Sequence, residues 1–184
     1  MTFDLAHRRE LTALARQSVT SGLEYHRPLK VKFEVVSAKL GQPGASFVTL
    51  KRTGQLRGCI GTLIANQALA QDVATNAYSA AFRDPRFDPL GGDELEGLLI
   101  SISVLSTPQP MVFSNEADLL AQLQPGIDGL ILKEGNRRGT FLPSVWESLP
   151  SPQEFWPRLK MKAGLDPDYW SDSLLVERYT TESW

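Results

Sequence analysis

Apolar residues recur at three- and four-residue steps in several stretches of the chain, which is the pattern of amphipathic helices. The first stretch predicts a helix over residues 4–25. A second stretch, rich in alanine, predicts a helix over residues 67–82 that the side chain of Asn66 would cap. A third predicts a helix over residues 152–163, because a Ser-Pro capping box opens it and Gly164 follows it.

Other stretches alternate between apolar and polar residues or form short apolar runs, as β-strands do. Residues 46–51 alternate, Thr53-Gly54 forms a turn, and the chain returns from Leu56 as the second arm of a hairpin. Further strands are predicted over residues 98–105, 129–133, 139–142 and 174–179. Because hairpins and helices mix without regular βαβ alternation, we predict an α+β fold with a mainly antiparallel sheet flanked by helices.

The length and composition fit one ordinary domain over residues 1–184. Hydrophobic residues make up 42% of the chain and charged residues 22%, which is enough apolar mass for a proper core. The net charge of -2 creates no overall field that favours nucleic acid or an anionic membrane. The N-terminus lacks an apolar signal segment, and no apolar run reaches the roughly 20 residues of a membrane helix. We therefore expect a cytoplasmic protein with neither a nucleic-acid nor a membrane partner.

The single cysteine of the chain lies in the hexapeptide LRGCIG at residues 56–61. Two glycines within four residues indicate close backbone approach or positive φ, and the arginine favours a thiolate or a bound anion. The junction with the following helix should bring the thiol near a helix N-terminus, which attracts anions. The predicted ligand-binding residues here are Arg57, Gly58, Cys59, Ile60 and Gly61. Most free cysteines are small buried hydrophobes, so a packing role for Cys59 stays open.

A turn braced by two prolines, residues 84–89, supplies two further candidates, Asp84 and Arg86. The Arg86 guanidinium would bind a carboxylate or phosphate through two hydrogen bonds, with Asp84 either fixing its orientation or neutralising its charge. The competing interpretation is a surface ion pair for Arg86 and turn capping for Asp84. Both interpretations stay open.

The sequence predicts no metal site and no cofactor. One cysteine rules out a thiolate-only metal site, and no cluster of His, Asp and Glu supplies other ligands. The glycines of the hexapeptide do not form a phosphate-binding loop, because no Gly-Lys-Ser/Thr follows them. His7 and His26 are the only histidines, so a Cys-His pair at Cys59 requires the fold to bring one of them back.

The hexapeptide also resembles the hallmark of the AMMECR family. Three further runs fit that family in order, at residues 80–87, 126–130 and 139–143, so the resemblance spans about residues 45–179. It implies an α+β protein of two unequal lobes, with the hexapeptide facing the cleft between them. Bacterial members are often called protein A of the AmmeMemoRadiSam system, beside a Memo-like protein and a radical SAM protein. Some relatives carry a second cysteine where this chain has Lys160, which weakens any mechanism that needs two thiols.

Two classes of function follow from these observations. The leading hypothesis is a binding protein without a metal, which takes a small anionic ligand or a partner protein in the cleft and works with Memo-like and radical SAM partners. The alternative is an enzyme that uses Cys59 as its catalytic nucleophile or sulfur carrier, or a redox-sensing thiol. Homodimerisation is kept as a further option, and whether the protein is an enzyme at all stays open.

Overall fold

The computed structural model describes residues 2–184 and confirms the predicted α+β fold. Across these residues the helices are α1 (Leu5–Tyr25), α2 (Leu69–Phe82), α3 (Glu116–Gln122) and α4 (Pro152–Lys162). The strands are β1 (Ser46–Arg52), β2 (Gln55–Gly61), β3 (Leu99–Leu105), β4 (Gln109–Pro110), β5 (Gly129–Glu134), β6 (Arg137–Phe141), β7 (Leu175–Tyr179) and β8 (Thr181–Ser183). No helix among the described residues is both long and apolar enough to span a membrane.

The chain forms two compact units. The first unit contains residues 2–105 and 182–184, and the second contains residues 106–181. The strands divide into two four-stranded sheets, with the order β2-β1-β3-β8 in one and β4-β7-β5-β6 in the other. The registered pairs β1–β2, β1–β3, β4–β7, β5–β6 and β5–β7 are all antiparallel. Every candidate site residue predicted from the sequence lies in the first unit.

The core of the first unit lies between the helices α1 and α2 and one face of its sheet. Alternate β1 residues, including Val48 and Leu50, are fully buried in this core. The alanines of α2 allow close packing, since Ala74 and Ala77 are fully buried as well. The intervening β1 residues, such as Thr49 and Lys51, therefore belong to the opposite, outer face of the sheet.

Helix α2 begins later than the sequence predicts. Asn66 does not cap it; the helix starts at Leu69, and the capping position is Ala68, which makes no side-chain bond. The preceding backbone is engaged elsewhere, because Gly44 donates its N–H to the Gln67 carbonyl and Leu69 donates to Gln42. These bonds hold residues 67–68 in an extended form, so the helix cannot extend further towards its N-terminus.

The second unit has its own core, which contains a buried lysine. Trp146 stacks on Phe155 with ring centroids 3.8 Å apart. Lys160 is only 1% exposed, and its ammonium lies 2.7 Å from a carboxylate oxygen of Glu116. The same oxygen accepts a hydrogen bond from the Trp156 indole, so the buried charge is both paired and hydrogen-bonded.

Candidate functional site

The hexapeptide forms most of β2, an edge strand of the first unit's sheet. Both of its glycines are required by close packing. A Cβ on Gly58 would lie 2.0 Å from the backbone oxygen of Ala80, in the last turns of α2. A Cβ on Gly61 would lie 2.2 Å from the ring of Phe47, the residue of β1 that is paired with Gly61. The prediction of close backbone approach is therefore met at both glycines, for reasons that belong to the fold.

Arg57 lies in a β-bulge, where the register between β1 and β2 shifts after Leu50. Its guanidinium makes two hydrogen bonds to Glu94, with Nε–Oε1 and Nη2–Oε2 distances of 2.7 and 2.8 Å. These bonds raise the pKa of Arg57 and hold the pKa of Glu94 at about 2, below its ordinary value of 4.5. The side chains of Arg57 and Glu94 are only 15% and 18% exposed, so this ion pair is largely shielded from solvent.

Cys59 faces away from the helices. It lies opposite Thr49 in the register, and its sulfur is 3.3 Å from the Thr49 hydroxyl. Thr49 in turn lies opposite Ser101 on β3, so three small polar side chains cross the outer face of the sheet in one row. Cys59 is partly exposed, whereas its neighbour Ile60 packs against the core. Cys59 is therefore not the fully buried hydrophobe that a packing role would favour.

The backbone of Cys59 is held by the turn that follows α2. Its N–H donates to the Asp84 carboxylate at 2.8 Å, and its carbonyl accepts a hydrogen bond from Arg86 Nη2 at 3.3 Å. Asp84 also accepts from the backbone N–H of Arg86 and from its Nε and Nη2, the last at 2.7 Å. We call the group formed by Asp84, Arg86 and the backbone N–H and C=O of Cys59 the Cys59 clamp. It occupies hydrogen-bonding groups that an edge strand would otherwise present to another chain.

The two charged members of the Cys59 clamp differ in exposure. The Asp84 side chain is 2% exposed, while the Arg86 side chain is 54% exposed. The bonds from Arg86 hold the pKa of Asp84 well below its ordinary value, even though burial acts in the opposite direction. Hydrogen bonding to Asp84 likewise raises the pKa of Arg86. Asp84 thus fixes the orientation of Arg86 and also offsets its charge, whereas the binding of an anion by Arg86 stays a prediction.

The phenyl ring of Phe87 connects the two arginines. The Arg57 and Arg86 guanidinium carbons lie 5.9 and 5.5 Å from its centroid. These distances are within the range of cation–π contact. The positive groups around Cys59 are therefore ordered by contacts on several sides, and each is accompanied by a carboxylate.

The predicted placement of Cys59 near a helix N-terminus is wrong. Cys59 bonds to Asp84, which comes directly after the C-terminal end of α2, and the neighbouring Gly58 lies against Ala80 in that end of the helix. The strand runs past the helix in the opposite direction, so only its far end, at Thr62, reaches the first turn of α2 through Asp72. The helix dipole consequently gives no positive potential at the thiol.

Neither histidine is a hydrogen-bond partner of Cys59 among residues 2–184. The backbone N–H of His7 donates to Asp4 at the start of α1, and the His26 carbonyl accepts from Tyr78 at the helix's other end. No group of three or more His, Cys, Asp or Glu in the described part of the chain is arranged to hold a metal ion. The chemistry available at Cys59 is therefore that of a thiol, a hydroxyl and a braced guanidinium.

Sequence reasoning missed a second buried carboxylate, Asp72. It is 1% exposed and lies in the first turn of α2. Its oxygens accept hydrogen bonds from the Ser46 backbone and from the side chains of Ser46, Thr62, Gln67 and Asn76. The available signal was an aspartate among alanines with an asparagine one helical turn later, since charged residues on a buried face need such partners.

Comparison with known proteins places these features in a family. The AMMECR1 family model matches residues 12–184. A protein of Methanothermobacter thermautotrophicus is 35% identical over 169 residues, covering 89% of this chain and 85% of that protein. A protein of Methanosarcina acetivorans is 40% identical over 132 residues, which cover 71% of this chain and 66% of the relative's own length.

The fold has a match of its own among solved structures. The crystal structure of the uncharacterized protein PH0010 from Pyrococcus horikoshii superposes with a TM-score of 0.87 at 29% sequence identity. The match covers 94% of this chain and 88% of that one. The order of the motifs, the match over residues 12–184 and this shared architecture agree, and the chain belongs to the AMMECR1 family.

Proposed function

We propose that this protein is a binding component that takes a small anionic ligand beside Cys59, on the outer side of β2. The observation that carries the proposal is that, of the predicted site residues, most are occupied by packing or by an ion pair, and Arg86 is not fully occupied. Gly58, Ile60 and Gly61 are engaged in packing, and Arg57 in its ion pair. The half-exposed Arg86 instead has one guanidinium nitrogen, Nη1, that neither Asp84 nor Cys59 binds, and the thiol of Cys59 is partly exposed. Arginine suits carboxylate and phosphate because its planar group offers several donors at once.

The hydrogen bonds that hold Arg86 and the Cys59 backbone in place support ligand binding more than nucleophilic catalysis. A nucleophilic cysteine commonly needs a base nearby and backbone donors for the developing oxyanion. Here the Cys59 N–H already donates to Asp84, and the hydroxyl of Thr49 is the side chain in contact with the sulfur. A preformed guanidinium loses little conformational freedom on binding, which favours ligand capture.

The ligand hypothesis is tested by isothermal titration calorimetry with inorganic phosphate and small carboxylates. Wild-type protein and the variant Arg86→Gln are compared, with Arg9→Gln, on the exposed surface of α1, as the matched loss of charge. We expect binding by the wild type and by Arg9→Gln, and its loss in Arg86→Gln. Equal binding by all three proteins would place the anion elsewhere, and heat from none of them would contradict the ligand hypothesis.

The same site is proposed to work with partner proteins, a Memo-like protein and a radical SAM protein. Membership of the AMMECR1 family and the resemblance of the hexapeptide support this step. Co-purification of the tagged protein with each candidate partner tests it, with Arg86→Gln as the site variant. A folded protein that retains neither partner and binds none of the anions contradicts the proposed function as a whole.

A reactive thiol remains the second candidate, because Cys59 is partly exposed rather than enclosed in the core. It covers an enzyme that uses Cys59 as nucleophile or sulfur carrier and a redox sensor that forms a sulfenic acid. Alkylation by iodoacetamide across pH, and reversible sulfenylation by hydrogen peroxide, measure this reactivity. An alkylation profile like that of a free thiol in a short peptide would count against both forms of the hypothesis.

A further inference from the structure

The Cys59 clamp couples a surface group to a buried one. Arg86 touches the Cys59 carbonyl and is also bound to Asp84, which touches the Cys59 N–H. The two ends of one residue's backbone are therefore held by a single ion pair. Since the N–H and the C=O of Cys59 are both held, the position of its Cβ relative to Arg86 is fixed as well.

The buried partner determines which parts of Arg86 are available. Asp84 binds Nε at 2.9 Å and Nη2 at 2.7 Å, so the guanidinium is gripped along one edge and its remaining nitrogen, Nη1, lies on the other. Pulling Arg86 away would leave a carboxylate that is 98% buried without its counter-ion, which is costly. An incoming anion is therefore bound without displacement of Arg86, by Nη1, the nitrogen that neither Asp84 nor the Cys59 carbonyl engages.

We propose that Asp84 is the positioning residue of the binding site: it holds Arg86 against the Cys59 carbonyl, so that an anion at Nη1 of Arg86 lies beside the Cys59 thiol. This inference rests on the proposed function and adds that ligand occupancy is transmitted to the cysteine. The 3.3 Å contact between Arg86 Nη2 and the Cys59 carbonyl keeps the guanidinium next to the residue that carries the thiol. A negative charge at that place disfavours a thiolate and slows its alkylation.

The experiment measures the alkylation rate of Cys59 by iodoacetamide as inorganic phosphate is added at constant ionic strength. Cys59 is the only cysteine, so the label reports one site. We expect saturable slowing of about fivefold in the wild type, from one added charge at short range in a partly solvated site. Asp84→Asn should abolish the slowing although it keeps Arg86, and Arg9→Gln should behave as the wild type does.

A second variant keeps the test decisive if Asp84→Asn does not fold. Arg86→Lys keeps the positive charge on an exposed position but lacks the planar group that Asp84 grips. We expect the lysine variant to lose most of the protection by phosphate. Full protection in either Asp84→Asn or Arg86→Lys would show that charge alone suffices and would overturn the positioning role.

Calorimetry with phosphate distinguishes the proposed ligand binding from the proposed positioning role of Asp84. Phosphate that binds by calorimetry without slowing alkylation overturns the inference and leaves the proposed ligand binding intact. No heat and no slowing overturn both. Slowing with a midpoint equal to the calorimetric dissociation constant, lost in the Asp84 and Arg86 variants, is the result we expect.

Discussion

A buried aspartate lies at each end of helix α2, and each one binds a different part of the segment formed by β2 and the residue that follows it. Asp72, at the N-terminal end, binds Thr62 just after β2, and Asp84, beyond the C-terminal end, binds the Cys59 backbone. As whole residues, backbone included, Asp72 is 1% exposed and Asp84 is 4% exposed, so burial does not distinguish them. They differ in the groups that replace water around each carboxylate.

Uncharged donors surround Asp72, and the donors from Ser46 and Asn76 are themselves buried. This carboxylate connects β1, the end of β2 and α2, and its half-buried partners, Thr62 and Gln67, are uncharged. Asp84 instead has a charged partner, Arg86, whose side chain is 54% exposed. A buried carboxylate satisfied from within stabilises the fold, whereas one paired with an exposed guanidinium also orients a group that a ligand can reach.

The largest effect should come from Asp72→Ala. Its removal takes the acceptor from the buried Ser46 N–H and hydroxyl, from one Asn76 N–H and from the half-buried Thr62 hydroxyl, and opens a cavity between α2 and the sheet. We expect the free energy of unfolding to fall by about 4 kcal/mol. Urea denaturation measures it, with the exposed Asp168→Ala as the matched control. A loss below about 1 kcal/mol would mean that Asp72 does not hold this end of the helix.

Gly58→Ala should have the next largest effect and acts at the other end of α2. The new Cβ would meet the Ala80 backbone oxygen, which cannot move without shifting the helix. We expect a destabilisation of about 3 kcal/mol. Gly92→Ala is the control, because no atom lies within 4 Å of the position of its new Cβ. The control should cost less than about 0.5 kcal/mol, and equal costs at both glycines would contradict the close approach of β2 to α2.

Periodicity along the chain predicted the elements well, because helix and strand patterns depend on local spacing. The predicted helix over residues 4–25 and the hairpin of β1 and β2 match the structure within about two residues, the usual margin of boundary assignment. The late start of α2 was not predictable, since it depends on hydrogen bonds from Gly44 and Leu69 that join distant segments. The sequence singled out Cys59, Asp84 and Arg86, but their mutual contacts come from packing.

The dependence on contacts between distant segments also explains why the sequence placed Cys59 at the wrong end of α2. A strand-to-helix junction brings the end of the strand near the helix N-terminus, and Thr62 is indeed found there. Cys59 lies three residues earlier, and an extended strand covers about 10 Å over that distance. The strand therefore carries Cys59 towards the opposite end of α2, where Asp84 meets it. Glu94, the partner of Arg57, was likewise not found, because nothing in the local pattern joins residues so far apart.

Acid should act on the ion pairs around β2. The pKa of Glu94 is held at about 2 in the folded protein, against an ordinary value of 4.5, chiefly by the hydrogen bonds from Arg57. Because the folded pKa is the lower one, the stabilisation is complete above pH 4.5 and is lost as the pH falls from 4.5 towards 2. We expect a loss of about 2 kcal/mol over that range from Glu94. Urea denaturation at several pH values measures it.

Glu94→Gln provides the comparison for this titration. The variant should be less stable than the wild type near neutral pH and should show a flatter loss of stability between pH 4.5 and 2. Asp84 keeps some acid sensitivity in the variant, because its pKa is also depressed and its contribution is lost progressively as the pH falls below its ordinary pKa of 3.8. Parallel curves for the two proteins would show that the Arg57–Glu94 pair contributes nothing to stability.

The smallest effect on stability should come from Cys59→Ala, which removes the side chain at the centre of the proposed site. The thiol is partly exposed and contacts the Thr49 hydroxyl, while the Cys59 clamp acts only on backbone atoms. We expect a change within about 0.5 kcal/mol by urea denaturation, the range of surface substitutions. Phosphate binding should persist, since Arg86 stays in place. A loss of stability near that of Gly58→Ala would instead show that the thiol contributes to packing. Both ends of α2 would then have a structural role, and the contrast between Asp72 and Asp84 would be lost.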